Sequence, residues 1–201
     1  MQIISRQSGF TLIEMLVSLA LFTIVATISV GTLLVLINGN SKVVGEQSVM
    51  TGLTFALDSM SREIRTGTDY FCGSIVQVTG NAVTGSSTNV SNCTSGNVGL
   101  SFREAGESIT GGSSQGRIAY YFDNNMMYRK IGTGTPVPII GDDIRVTSAR
   151  FVVTGSEKLT ANLTDKLQPT VTLVLTAVAS SSDNTTPFTV QTTVTQRALD
   201  I

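Results

Sequence analysis

Gly9-FTLIEMLVSLALFTIVATISVGTLLVL-Ile37 decides the reading of this chain. From Phe10 to Ile37 it carries one charge, Glu14, and no proline. A hydrocarbon core needs about 20 largely apolar residues as a helix, so the run is long enough to span a bilayer. Its edges are unusual. A secretory signal places its small-residue cleavage site after the apolar region. Here the small residue, Gly9, stands before it, behind a polar leader, MQIISRQSG, whose one basic residue is Arg6. Cutting after Gly9 would remove the leader and keep the apolar helix as the new N-terminus. Glu14 would then lie one helical turn beyond the new amine of Phe10, about 6 Å up the axis. An acid inside a membrane helix is costly and calls for a partner or a water path. That pair could close within one chain or between axially shifted neighbours.

Leader, glycine, aromatic residue, acid and apolar run, in this order, resemble the cleavage motif of type IV pilins and the pseudopilins of secretion and DNA-uptake machines. The resemblance implies a membrane peptidase that cuts after Gly9 and methylates Phe10. It also implies a role for Glu14 in setting register between subunits. It places the chain in the inner membrane as a single pass before assembly, with its soluble part in the periplasm or outside the cell.

The composition narrows the chemistry. The 201 residues leave room for one small domain beyond the stem. Charged residues are only 13%, the net charge is −1 and the basic residues are scattered, so no nucleic-acid surface is expected. Histidine is absent, which removes the commonest general base. There is no nucleophile elbow, P-loop, dinucleotide fingerprint or metal-spaced cluster. The expectation is a non-enzymatic protein without a cofactor. Asp142-Asp143, with Asp123 or Asp183, is the best oxygen set for calcium, but a solvated turn is the preferred reading. Cys72 and Cys93 lack metal or redox spacing. In an extracytoplasmic segment a structural disulfide between them is expected over two free thiols.

Five segments follow. Residues 1–9 are the leader and 10–37 the membrane and assembly helix. Residues 38–66 continue that helix in amphipathic form, through Asn38-Gly39-Asn40. Val43, Met50, Leu53, Leu57, Met60 and Ile64 recur at helical spacing as a buried stripe. Asp58 and Arg62 form an i,i+4 pair. Gly31, Gly39, Gly45 and Gly52 share a face, which fits a small-residue track, local melting on assembly or a simple kink. Residues 67–116 read as a disulfide-pinned loop with one or two short strands, at 75–78 and 98–102, and with Arg103, Glu104 and Glu107 as exposed charges. N-x-S/T triplets at Asn89, Asn92, Asn162 and Asn184 are assigned no glycans. Residues 117–201 read as an antiparallel sheet. Strands at 117–123 and 126–131 flank the turn Asn124-Asn125, Pro136 and Pro138 mark an edge or loop, and strands follow at 144–153, 170–178 and 188–194. Tyr120, Tyr121, Phe122 and Tyr128 suit cross-strand packing.

The fold class expected is therefore α+β, a long N-terminal helix packed on a C-terminal antiparallel sheet, the pilin fold. The helix end DSMSREIR, the hairpin and the terminal TVQTTVTQR further resemble minor subunits of the J or W type. This implies a part in initiating or capping a type IV pilus or a type II secretion or competence pseudopilus. The implied partners are the prepilin peptidase, other minor and major pilins and the inner-membrane assembly platform. A tip adhesin or DNA-binding minor pilin is the second reading, and an uncleaved signal-anchored protein the third.

Overall fold

The computed structural model describes residues 9–80, 90–105, 117–157, 167–180 and 186–197. The chain divides into two compact units, Met1–Val44 and Gly45–Ile201. One α-helix, α1, runs unbroken over Leu12–Thr66 and so contributes to both. Asn38-Gly39-Asn40 does not interrupt it. Among the described residues it is the one helix long and apolar enough to cross a membrane. In the first unit the hydroxyls of Ser18, Thr23, Thr27, Ser29 and Thr32 each donate to a backbone carbonyl three or four residues back, at 2.7–3.0 Å. A hydroxyl in hydrocarbon is costly unless bonded, and these satisfy themselves within the helix.

In the second unit, residues 45–66 of α1 are followed by β1 (Thr68–Gly73), a short helix α2 (Ile75–Thr79), β2 (Cys93–Asn97), β3 (Gly99–Arg103), β4 (Arg117–Asp123), β5 (Met126–Ile131), β6 (Val137–Pro138), β7 (Ile144–Thr154), β8 (Thr170–Ala179) and β9 (Phe188–Thr195). The strands form two antiparallel sheets, ordered β1-β3-β4-β5-β6 and β2-β7-β8-β9. The arrangement is the expected α+β class, but the strands after residue 117 do not make one sheet. Pro138 closes β6 after two residues, and from Ile144 the chain adds β7, β8 and β9 to the second sheet, whose edge strand β2 comes earlier in the chain. A proline cannot donate to a ladder, which is why it stands at the β6 edge.

The segment read as an irregular loop is more ordered than its composition suggests. It supplies three strands, one to the second sheet and two to the first. Residues 75–78, expected as a strand, form α2 instead. The Gln77 side-chain oxygen accepts from the Ser74 N–H at 2.9 Å, one half of the S-x-x-Q capping box. Val78 is buried, while Val76 points outward.

Val49, Leu53, Ala56, Met60 and Ile64 of α1 join residues of both sheets in a single core. The stripe thus differs from the expected one. Val43 and Met50 are exposed and Leu57 only partly buried, whereas Val49 and Ala56 point inward. Gly52 faces the sheet, and a Cβ there would run into the end of Ile144. Gly31 and Gly39 face open space. Sheet one is covered on both faces: Tyr120 and Phe102 lie in the main core, and Ala119 and Tyr121 pack with Val78 beneath α2. The hairpin turn matches its sequence signal, with Asn124 and Asn125 at φ 45° and 63°. Two successive left-handed residues are what a two-residue type I′ turn requires.

Candidate processing and assembly site

Gly9, Phe10 and Thr11 precede α1 and are exposed. The helix starts because Thr11 caps it. Its carbonyl accepts from the N–H groups of Glu14 and Met15 at 3.1 and 3.2 Å, and its hydroxyl accepts from Glu14 at 3.4 Å. Thr11-x-x-Glu14 is the sequence signature of a capped N-terminus, a signal the sequence reading passed over. Glu14 is exposed in the first turn, where a carboxylate is favoured by the partial positive charge of the helix end. The Gly9–Phe10 bond therefore lies in non-helical backbone just outside the helix, and Glu14 follows one turn inside it. Ile13, Val17, Ser18 and Leu21 surround Glu14 along one side of the helix.

Three of the interactions among the described residues tie distant elements of the second unit together. The Glu63 carboxylate of α1 accepts from Arg129 Nε at 3.0 Å and Nη2 at 2.9 Å, and from the Tyr120 hydroxyl at 2.6 Å. This network ties the end of the helix to β4 and β5. Burial first, then the Glu63 hydrogen bond, hold the Tyr120 proton above the ordinary tyrosine range. Burial alone would lower the Arg129 pKa, but its bonds to Glu63 outweigh that and raise it.

The second interaction is an ion pair between Arg103 and Asp69, whose side chain has no exposure. Asp69 sits at a bulge in β1 with φ 53°, a left-handed conformation that aspartate tolerates better than most residues. Arg117, directly across from Arg103, donates to the Asp69 carbonyl at 2.7 Å. Burial and then Arg103 push the Arg117 guanidinium below its usual value. Arg103 is therefore not the exposed loop charge the sequence suggested. Glu104 is exposed, and Glu107 lies outside the described residues.

The third is the Cys72–Cys93 disulfide, with a Cα–Cα distance of 5.8 Å. It joins β1 of one sheet to β2 of the other, and both sulfurs lie near the Phe151 carbonyl, at 3.6 and 3.3 Å.

Asp142 and Asp143 occupy the turn before β7, where Asp143 accepts from Ser48 of α1. Asp183 lies outside the described residues, among which no cluster of three metal-ligating side chains occurs. Asn92 accepts from the backbone and hydroxyl of Ser156 at 2.9 and 2.8 Å. Asn89, Asn162, Asn184 and residues 1–8 of the expected leader 1–9, with Arg6, also lie outside the described residues. Tyr121 and Tyr128 pair across the strands with ring centroids 5.5 Å apart. Asp58 and Arg62 form an exposed pair at 2.8 Å.

A long apolar N-terminal helix with an acid in its first turn, packed further along on antiparallel sheets, is an arrangement consistent with the pilin fold. Residues 4–30 match the prokaryotic N-terminal methylation motif. The match supports a type IV pilin-like protein, and the motif implies processing by a prepilin peptidase and assembly with other pilins. It indicates a structural subunit rather than an enzyme family, and is consistent with membrane anchoring and a pilus-associated location. Comparison with curated proteins and with solved structures returned no match.

Proposed function

We propose that the chain is a non-enzymatic minor pilin or pseudopilin, of the J or W type, that helps to initiate or cap a type IV pilus or a secretion or competence pseudopilus. The observation that carries the proposal is the placement of the Gly9–Phe10 bond and Glu14 on either side of the start of an apolar, exposed stem, within the matched motif. The peptidase cuts after Gly9, and the amine of Phe10 becomes the methylated N-terminus. That amine adds a positive charge at the end of α1 that is already partly positive. Glu14, one turn along, offsets it within the chain or meets the amine of a shifted neighbour. The pairing with a neighbour sets subunit register. The siblings and the inner-membrane assembly platform are the partners, and the head stands outside the cytoplasm, where the disulfide persists.

Mass spectrometry of the N-terminus of protein recovered from cells tests this directly. N-methyl-Phe10 is the expected result. Working machinery whose subunit still begins at Met1 would reject the proposal and favour an uncleaved signal anchor.

A further inference from the structure

The two sheets have four edges, and three are blunted. β6 is two residues long and ends on Pro138. β1 is covered by Ser91, which bonds Cys72 and Tyr70 at 3.1 and 3.0 Å. β2 is irregular, with Gly96 at φ 78° and a register shift between Cys93 and Asn97. β9, FTVQTTVT, is different: it spans eight residues with no charge and no proline. Long, neutral edges are the ones natural proteins normally suppress, because they pair with other chains.

The direction of its backbone groups follows from the ladder. Thr147 Oγ1 donates to the Thr176 carbonyl at 3.1 Å, so the backbone groups of Thr176 face β7. Its partner on β9, Thr189, belongs to a non-hydrogen-bonded pair and faces away from β8. Alternation extends this to Gln191, Thr193 and Thr195. Gln196, of the opposite parity, donates to the Pro169 carbonyl at 3.0 Å. The Thr176–Thr189 and Thr172–Thr193 hydroxyl contacts, both 3.0 Å, fit the closer spacing of non-hydrogen-bonded pairs. Among the described residues, the outward N–H and C=O groups of Thr189, Gln191, Thr193 and Thr195 meet no partner.

We infer that β9 is a docking edge that accepts an antiparallel, uncharged strand from a different pilin-like subunit; this rests on the function proposed above. The neutrality of the edge calls for a neutral strand, since a charge opposite it would gain no counterion. A second copy pairing through its own β9 matches in sequence, with Val190 opposite Val194 about Thr192. Its direction is wrong, however. β9 runs alongside α1 in the same sense, with Thr186 bonded to Glu46 at 3.4 Å near its start and Arg197 bonded to Arg65 at 2.8 Å past its end. Antiparallel β9 strands would therefore set two α1 helices in opposite directions, which subunits anchored by that helix in one membrane do not adopt. A second copy offering β2 has the right direction but brings the irregular ladder described above. A sibling subunit with a regular neutral edge meets both conditions.

The test uses the full chain in its own cells, with a photo-crosslinking residue at exposed Thr193 and, in parallel, at Val17 of the stem. The expected adduct at position 193 is a different subunit that itself carries a leader, a glycine and an apolar stem. Gln191→Pro removes an outward N–H and leaves the bonds to β8 intact, so the adduct falls by several-fold, up to about tenfold, the effect of losing one backbone hydrogen bond. Gln191→Lys, which keeps the backbone unchanged, lowers it several-fold through an unpaired charge at the edge. An adduct with a second copy of this chain, an adduct with a protein lacking such a stem, or an adduct indifferent to both substitutions overturns the inference. So does silence at 193 while Val17 still captures stem-bearing subunits, a result that leaves the proposed function standing. Silence at both positions overturns the edge and the function together.

Discussion

Replacing Tyr120 by phenylalanine isolates one atom of the network that holds α1 to the sheet. The ring is buried and keeps its contacts, while the hydroxyl that donates to Glu63 at 2.6 Å is lost. A hydrogen bond to a charged group contributes about 1.5–3 kcal/mol. Glu63 and Arg129 keep side-chain exposures of 30% and 27%, so water can replace part of the loss and the lower end applies. About 1.5 kcal/mol corresponds to a fall in Tm of roughly 3–6 °C for a unit of this size. Differential scanning calorimetry of the full chain in detergent measures it, and hydrogen exchange of residues 45–66 localises it. The pH dependence adds a second signature. The Tyr120 pKa is raised on folding, so the folded state holds this proton more tightly than the unfolded one. The stabilisation is complete below the ordinary tyrosine value of 10.0 and is lost as the pH rises above it. Tyr120→Phe removes that contribution, leaving the alkaline loss due to Tyr121, whose pKa is raised by burial and then by Asp123, and the opposing gain from Arg117, whose pKa is lowered by burial and then by Arg103. An unchanged Tm near neutral pH, together with an alkaline profile that overlays the parent protein, would refute the reasoning.

Reducing the Cys72–Cys93 bond, whose cysteines are 21 residues apart, should cost about 3 kcal/mol. Urea midpoints with and without reductant give the value, and coincident midpoints would contradict it. Gly52→Val drives a branched side chain against Ile144 and should destabilise by about 1–3 kcal/mol. Gly52→Ala, which displaces only the flexible end of Ile144 and gains helix propensity, should be near neutral in the same calorimetry. Asn125→Val forces a β-branched residue to φ 63° and should cost about 1–2 kcal/mol; a Tm unchanged from the parent would count against the turn assignment. Glu14→Ala should still be inserted and trimmed but be missing from sheared filaments on immunoblots, and normal incorporation would remove the register role proposed for this acid.

The parts of the fold legible in the sequence were those with a local signal. The hairpin was readable because two asparagines between alternating strands have few other uses. β7, β8 and β9 were readable from their period of two. The helical stripe was only half readable. Val49 and Met50 are adjacent and both apolar, as are Ala56 and Leu57, so the period allowed either set. The position of the sheet selected Val49 and Ala56. At Ser74-x-x-Gln77 the signal of a helix start competes with apolar alternation at 75–78 that imitates a strand. Thr11-x-x-Glu14 carries two signals at once, since the same acid serves a cap and stands inside an apolar run, and only the local backbone shows the cap. Glu63 and Arg129 stand 66 residues apart, and nothing near either one names the other.

The sequence by itself determined the long apolar stretch, the short polar run before it, the glycine before the aromatic residue and the acid four residues beyond. These are properties of consecutive residues, governed by apolar length and helix geometry. The tertiary structure alone decided that the strands divide into two sheets, that a buried aspartate holds Arg103, and that β9 has no partner on its outer side among the described residues. Each of these outcomes depends on which distant segments meet, and the energy that selects them is spread over a core assembled from both sheets and the helix.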